Sequence, residues 1–191
     1  MASNTTGIQN SAFGHQSLRN NTIGTSNSAF GYFALYNNTT GGNNTSVGYN
    51  TLRFNTTGGG NSAVGVNSLT SNTTGNYNTA FGYRTLFANT SGVLNVAVGG
   101  WALTSNIIGN RNNAFGYRAL SSNTTNNNNA FGSYALTNNT TGVNLSAFGH
   151  QTLKDNTTGT NNSAFGFRSL VSNTIGNNNS CLLNTSPSPR D

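Results

Sequence analysis

An all-β repetitive solenoid, a β-roll of about ten 17-residue coils, is the fold class predicted by three columns of residues recurring down this chain. A turn tetrapeptide reading NTTG or a close variant begins at Asn4, Asn21, Asn38, Asn55, Asn72 and Asn89 and continues to Asn173. A glycine closing an AFG or AVG triplet, with Ser46 in place of Ala once, falls at Gly14, Gly31, Gly48 and onward to Gly166, and a leucine follows each by four residues, from Leu18 to Leu170. Every step is 17 residues except one of 16, in the asparagine-rich stretch from Asn123 to Asn129. The consensus, N-T-T-G-x-x-N-S-A-F-G-Y-x-A-L-x-x, is the length of one coil, so the 191 residues count repeats rather than domains. Residues 1–180 are expected to form a single array.

Each element of the coil follows from local chemistry. NTTG fits a type I turn, with Asn favoured at its first position and Gly at its fourth, and supplies one corner. The next segment, N-S-A-F-G, reads as a short strand ended by Gly. Neighbouring strand residues point to opposite faces, so Ala12 and Phe13 cannot share one core. The expectation is that the column Phe13, Phe30, Val47, Val64, Phe81, Val98, Phe115, Phe131, Phe148 and Phe165 fills the coil interior with the leucines. The Ala and Gly face is then left for the close approach of a second surface. Apolar residues on both faces of a thin roll imply burial on both sides, hence an oligomer, with a homotrimer preferred. The segment G-Y-x-A-L reads as a second strand or a single helical turn. Stacked coils bring identical residues together, so the Asn columns can form amide ladders and Thr5, Thr22, Thr39, Thr56, Thr73 and Thr90 a hydroxyl ladder, interrupted at Ile107. Turn chemistry alone is the alternative explanation of both columns.

The register also marks the two ends. Met1 falls in the Leu column, as an internal methionine of a truncated repeat would. After Ser180, Cys181 occupies the Ala column and Leu182 the Phe column, but Leu183 stands where the repeats have Gly. The tail CLLNTSPSPRD resembles a translated transposon-end sequencing adapter, which would read CLLYTSPSPRD in this frame. Residues 181–191 are therefore expected to be a non-native or disordered tail, a natural Pro-rich linker being the alternative. That tail holds the single Cys and both prolines, so the repeats offer no disulfide and no thiolate metal site.

Composition narrows the function classes. Only 5% of residues are charged, Glu is absent, and Asp155 and Asp191 are the sole acids, so the net charge of +6 reflects missing acids. Arg19, Arg53, Arg84, Arg111, Arg118, Lys154 and Arg168 are spread along the array without a dense cluster. A nucleic-acid face concentrates its charge, so no nucleic-acid partner is expected. No apolar run is long enough to span a bilayer, so no membrane insertion is expected of this fragment. MASNTTGIQN has neither the basic start nor the apolar stretch of a signal peptide. Acid–base catalysis needs a positioned pair of titratable groups, and the repeats hold one acid and two distant histidines, His15 and His150. No triad, metal cluster, phosphate loop or calcium roll can be assembled, so neither enzymatic activity nor a cofactor is expected.

The recurring N-S-A-F-G, at Asn10 to Gly14 and Asn27 to Gly31, coupled to NTTG, resembles the head repeats of trimeric autotransporter adhesins (YadA-like) and related arrays in phage and viral tail fibres. The resemblance covers Asn4 to Ser180. The typical adhesin repeat is shorter and reads nearer N-S-x-A-x-G, while the added A-L segment is more similar to the fibre arrays. It implies a left-handed, trimeric, non-enzymatic rod on a cell or virion surface, extracellular, that spaces or presents a binding region.

One exposed-ligand candidate remains. The two positions after each AFG are rich in aromatics and Arg: Tyr32 and Phe33, Tyr49, Tyr83 and Arg84, Trp101, Tyr117 and Arg118, Phe167 and Arg168. Stacked, they would form a stripe suited to a host-surface glycan or protein, which makes a carbohydrate-binding module the alternative function. Subunit packing, or Arg shielding aromatic rings, would use the same stripe. The repeated N-T-T triplets are also glycosylation sequons, a coincidence of turn chemistry unless a eukaryotic secretory host is involved.

Overall fold

The computed structural model describes residues 3–183. Eleven three-residue strands, β1 (Ser11–Phe13) through β10 (Ser163–Phe165) and β11 (Ser180–Leu182), form one parallel sheet in strict sequence order. Ala12 lies opposite Ala29 and Phe13 opposite Phe30, and this unshifted register is kept along the sheet. One strand per coil pairing only with its neighbours is the geometry of a solenoid.

The interior differs from the sequence expectation. The strand alanines, among them Ala29, Ala63, Ala80 and Ala97, are fully buried together with Leu18, Leu35, Leu52 and the Leu column as far as Leu153, Leu170 being partly buried. The Phe column points outward instead, with Phe30 44% exposed and Phe165 42%. The leucine from the opposite wall reaches across the narrow coil and leaves room for a methyl group but not a ring. The single serine in the Ala column, Ser46, is compensated across the coil: its Oγ donates to Thr51 Oγ1 at 2.6 Å.

G-Y-x-A-L is neither strand nor helix. Its backbone alternates in handedness: Phe33 has φ 56° and Leu35 φ 51°, and the same two positions are left-handed in every complete coil. Left-handed non-glycine residues cost about 1–2 kcal/mol each, and the Leu column offsets that cost by complete burial. The alternation sends successive N–H groups to different neighbours. Phe33 N–H donates back to His15 O at 3.1 Å, while Leu35 N–H donates forward to Thr51 O at 3.0 Å.

The rest of the interior is polar. Two Asn columns, one opening the NTTG corner and one preceding the strand, are fully buried through most of the array. In the corner column, Asn55 Nδ2 donates to Asn38 Oδ1 at 2.8 Å and to Gly58 O of its own corner at 2.9 Å. The corner is thus closed by a side-chain amide rather than by the backbone bond of a type I turn, and Gly58 N–H instead reaches Thr73 O of the next coil. The amide ladders are present as read from the sequence. The threonines form no hydroxyl-to-hydroxyl ladder, because each donates to a carbonyl of the next coil, as Thr39 Oγ1 does to Thr56 O at 3.1 Å. Burial of Asn21, Asn38 and Asn55 also withdraws these sequon amides from any modifying enzyme once the coil has formed.

Two coils break the pattern. In the 16-residue coil, Thr125 takes over the carbonyl role of the corner glycine, accepting from Asn123 Nδ2 at 2.9 Å and Asn112 Nδ2 at 2.7 Å. Asn106 Oδ1 is left buried without a partner as a result. One coil later Leu145, fully buried, replaces an Asn of the pre-strand column and offers no acceptor to Asn162. Leu145→Asn should reconnect that ladder. The new hydrogen bonds, about 0.5–1.5 kcal/mol each, outweigh the lost leucine burial, and we expect about 1 kcal/mol of net stabilisation, read as a higher denaturation midpoint. A lower midpoint would show that leucine packing dominates there.

At the C-terminal end, pairing crosses the boundary drawn after Ser180. Cys181 lies opposite Ala164, Leu182 opposite Phe165, and Leu183 N–H donates to Phe165 O at 2.9 Å. Coil geometry therefore runs about three residues farther than the sequence reading placed it. The remainder of the expected tail, 184–191, lies outside the described residues, as does Met1.

Candidate ligand and subunit-contact face

The residues after each glycine corner project outward, because the handedness changes that turn Ala34 and Leu35 inward turn their predecessors out. Tyr32, Tyr49, Tyr83, Tyr117 and Phe167 occupy the first position and are exposed. Phe33, Arg84, Trp101, Arg118 and Arg168 occupy the second. Rings of successive coils stack where both are aromatic: His15 on Tyr32 at 5.0 Å and Tyr32 on Tyr49 at 5.4 Å, within 12° of parallel. His150 and Phe167 stack at 5.6 Å. The stripe is not continuous, since Val66, Gly100 and Ser133 interrupt the first column. It forms three aromatic clusters, around Tyr32 and Tyr49, around Tyr83 and Trp101, and from Tyr117 to Phe167.

A further column completes these clusters. The residue after the leucine lies against the second post-glycine position, bonded to it in three coils, as by Tyr36 N–H donating to Phe33 O at 3.3 Å, and touching it through the side chains of Arg53 and Phe87 in others. Tyr36, Arg53 and Phe87 thereby join the stripe. The Arg53 guanidinium lies 4.5 Å from the Phe33 ring, and that of Arg84 lies 4.3 Å from Phe87 and 4.7 Å from Trp101. Such contacts suit Arg well, since its planar cation is weakly hydrated. The sequence reading missed this column. The signal available was the three-residue spacing between Arg84 and Phe87, which becomes a contact only in this backbone.

The same placement aligns charge. Arg19, Arg53 and Lys154 stand in the post-leucine column and Arg84, Arg118 and Arg168 in the second post-glycine column, so six cations that look scattered in the sequence share one face. Arg111 alone among the described cations stands elsewhere, before the strand. Asp155 is the one acid among the described residues, and it accepts from Asn138 Nδ2 at 3.2 Å. The cation face thus has no carboxylate partner among the described residues.

No protein-family model, curated protein or solved structure matches this chain.

The face is open rather than hollow. Among the described residues there is no pocket and no grouping of three or more metal-ligating side chains, and no helix is long and apolar enough to cross a membrane. Beside it, before each glycine, runs the outward Phe ridge, where Phe115, Phe131, Phe148 and Phe165 stack at 4.7–4.9 Å with planes within 8° of parallel. A contiguous apolar ridge of this extent is rare on a soluble monomer and suits contact with another protein surface.

Proposed function

We propose that this chain is a structural and adhesive rod of a cell-surface adhesin or viral fibre, extracellular or on the virion surface, which spaces or presents a binding region. The observation that carries the reading is the uniform parallel register of all eleven strands. Each coil is held by its neighbours alone, so length grows in proportion to repeat number and adds no new contacts elsewhere. The open stripe and the small number of titratable groups support a mechanical role over a catalytic one.

Ten coils at about 4.8 Å each make a rod about 50 Å long. Deleting residues 38–71, two whole coils, should shorten the longest dimension measured by small-angle X-ray scattering by about 10 Å while leaving the cross-section unchanged. Loss of folding on that deletion would overturn the modular rod.

The exposed Phe ridge supports self-association, and a homotrimer is the form proposed. Light scattering should then give three times the chain mass of 19.9 kDa, and Phe131→Arg with Phe148→Arg should return it to monomer. A monomer for the unmodified chain would remove the trimer and leave the rod.

A further inference from the structure

We propose that the cation and aromatic face of the rod binds a linear acidic polysaccharide carrying one carboxylate per disaccharide, laid parallel to the rod axis. The argument rests on the periodicity of the cations. Counting coils by their AFG or AVG glycine, Arg19 stands on the first coil, Arg53 on the third, Arg84 on the fifth, Arg118 on the seventh and Lys154 on the ninth. Arg168 adds one on the tenth. Two coils advance the rod by about 10 Å, close to the length of two sugar rings joined end to end. A polymer alternating an acidic and a neutral sugar therefore meets one cation per acid without a change of register.

Aromatic rings occupy much of the space between. Tyr32, Tyr49, Trp101 and Phe167 lie on or beside the cation columns; Tyr32 stacks against His15 and Tyr49, Phe167 against His150, and Arg84 covers the Trp101 ring, so a polymer along the axis runs over the edges of these rings between the cations. Asp155 is the sole acid among the described residues, and its carboxylate accepts from Asn138 rather than from any of the six cations. An open face without a pocket fits an extended polymer better than a small ligand. Charge density separates this ligand from the other polyanions. Nucleic acid carries a charge at every nucleotide and is matched by a denser basic groove, and heavily sulfated glycans likewise exceed one charge per two sugars. The Phe ridge precedes each glycine corner and the cation columns follow it, so the two surfaces are separate. The inference is independent of the rod role, since a rod that binds no polymer remains a rod.

The test uses the full chain and size-defined oligosaccharides of alternating glucuronate and N-acetylglucosamine, read by surface plasmon resonance at low and physiological salt. Affinity should climb with each added disaccharide up to ten sugars and weaken with salt. Arg84→Gln combined with Arg118→Gln should reduce it about tenfold, with Arg→Lys at both positions restoring most of it and the thermal midpoint unchanged throughout. Equal binding of a neutral chito-oligosaccharide would overturn the charge argument. Tighter binding of heparin or of oligothymidylate would overturn the polymer class, and absence of binding would overturn the site.

Discussion

Replacing Asn78 by alanine should destabilise the coil stack by about 3–5 kcal/mol, the largest effect expected from a single side-chain truncation. Asn78 uses every hydrogen-bonding group it has. Its Nδ2 donates to Asn61 Oδ1 at 3.2 Å and Gly92 O at 2.8 Å, and its Oδ1 accepts from Asn95 N and Asn95 Nδ2, both at 3.1 Å. Asn61 Oδ1 and Gly92 O each keep another donor after truncation, Asn78 N–H and Asn89 Nδ2. The cost falls on Asn95, whose backbone N–H and one of whose two side-chain N–H groups are left buried and unpaired, at about 1–3 kcal/mol each, while its Nδ2 keeps the bond to Gly109 O at 2.8 Å. Hydrogen exchange localises the effect. The Asn95 amide should lose protection well before amides several coils away, because coils interact only with neighbours. A change under about 1 kcal/mol would mean that water replaces the missing acceptor.

Gly31→Ala should be comparably damaging, at about 3–6 kcal/mol, through the backbone rather than the core. Gly31 has φ 136°, a region that L residues rarely enter, and a Cβ there would collide with the carbonyl of Gly48 in the next coil. Relief requires the two coils to separate, which breaks the bond from Gly48 N–H to Phe30 O at 2.8 Å. Gly100→Ala is the internal control. Its added Cβ meets Tyr117 Cδ2 at 3.6 Å, an ordinary contact, and its φ lies outside the left-handed range. That substitution should be neutral or slightly stabilising, by up to about 1 kcal/mol, because it restricts the unfolded chain. Paired denaturation curves check both. Equal effects at the two glycines would show that inter-coil spacing does not set the requirement.

The coil count, the strand position and the Asn ladders were legible because each depends on residues that repeat at one fixed distance. The direction of the Phe column was not. Alternation along N-S-A-F-G shows that Ala and Phe oppose each other, but which one turns inward depends on the width left by Leu35 and the buried amides of the other walls. The conformation of G-Y-x-A-L was hidden for a different reason. Leucine has no intrinsic liking for positive φ, and the value of 51° at Leu35 is held by burial, by its N–H bond to Thr51 O of the next coil and by Asn38 N–H, which donates to Leu35 O at 3.2 Å. The aromatic half of the candidate face was readable at Tyr32, Tyr49, Tyr83 and Trp101, whereas Arg53 and Phe87 were missed because their column meets the stripe through that same unusual backbone.

The sequence by itself determined a repetitive all-β array of about ten coils, since a strict period in Gly, Leu and Asn admits stacking and little else. Only the tertiary structure decided that the core is Ala, Leu and buried amides with the phenylalanines outside. Only it gathered six separated cations onto one face. Periodicity specifies which residues stack on which, but the direction of each column is settled by the cross-section of the coil, and that is fixed by all 17 positions at once.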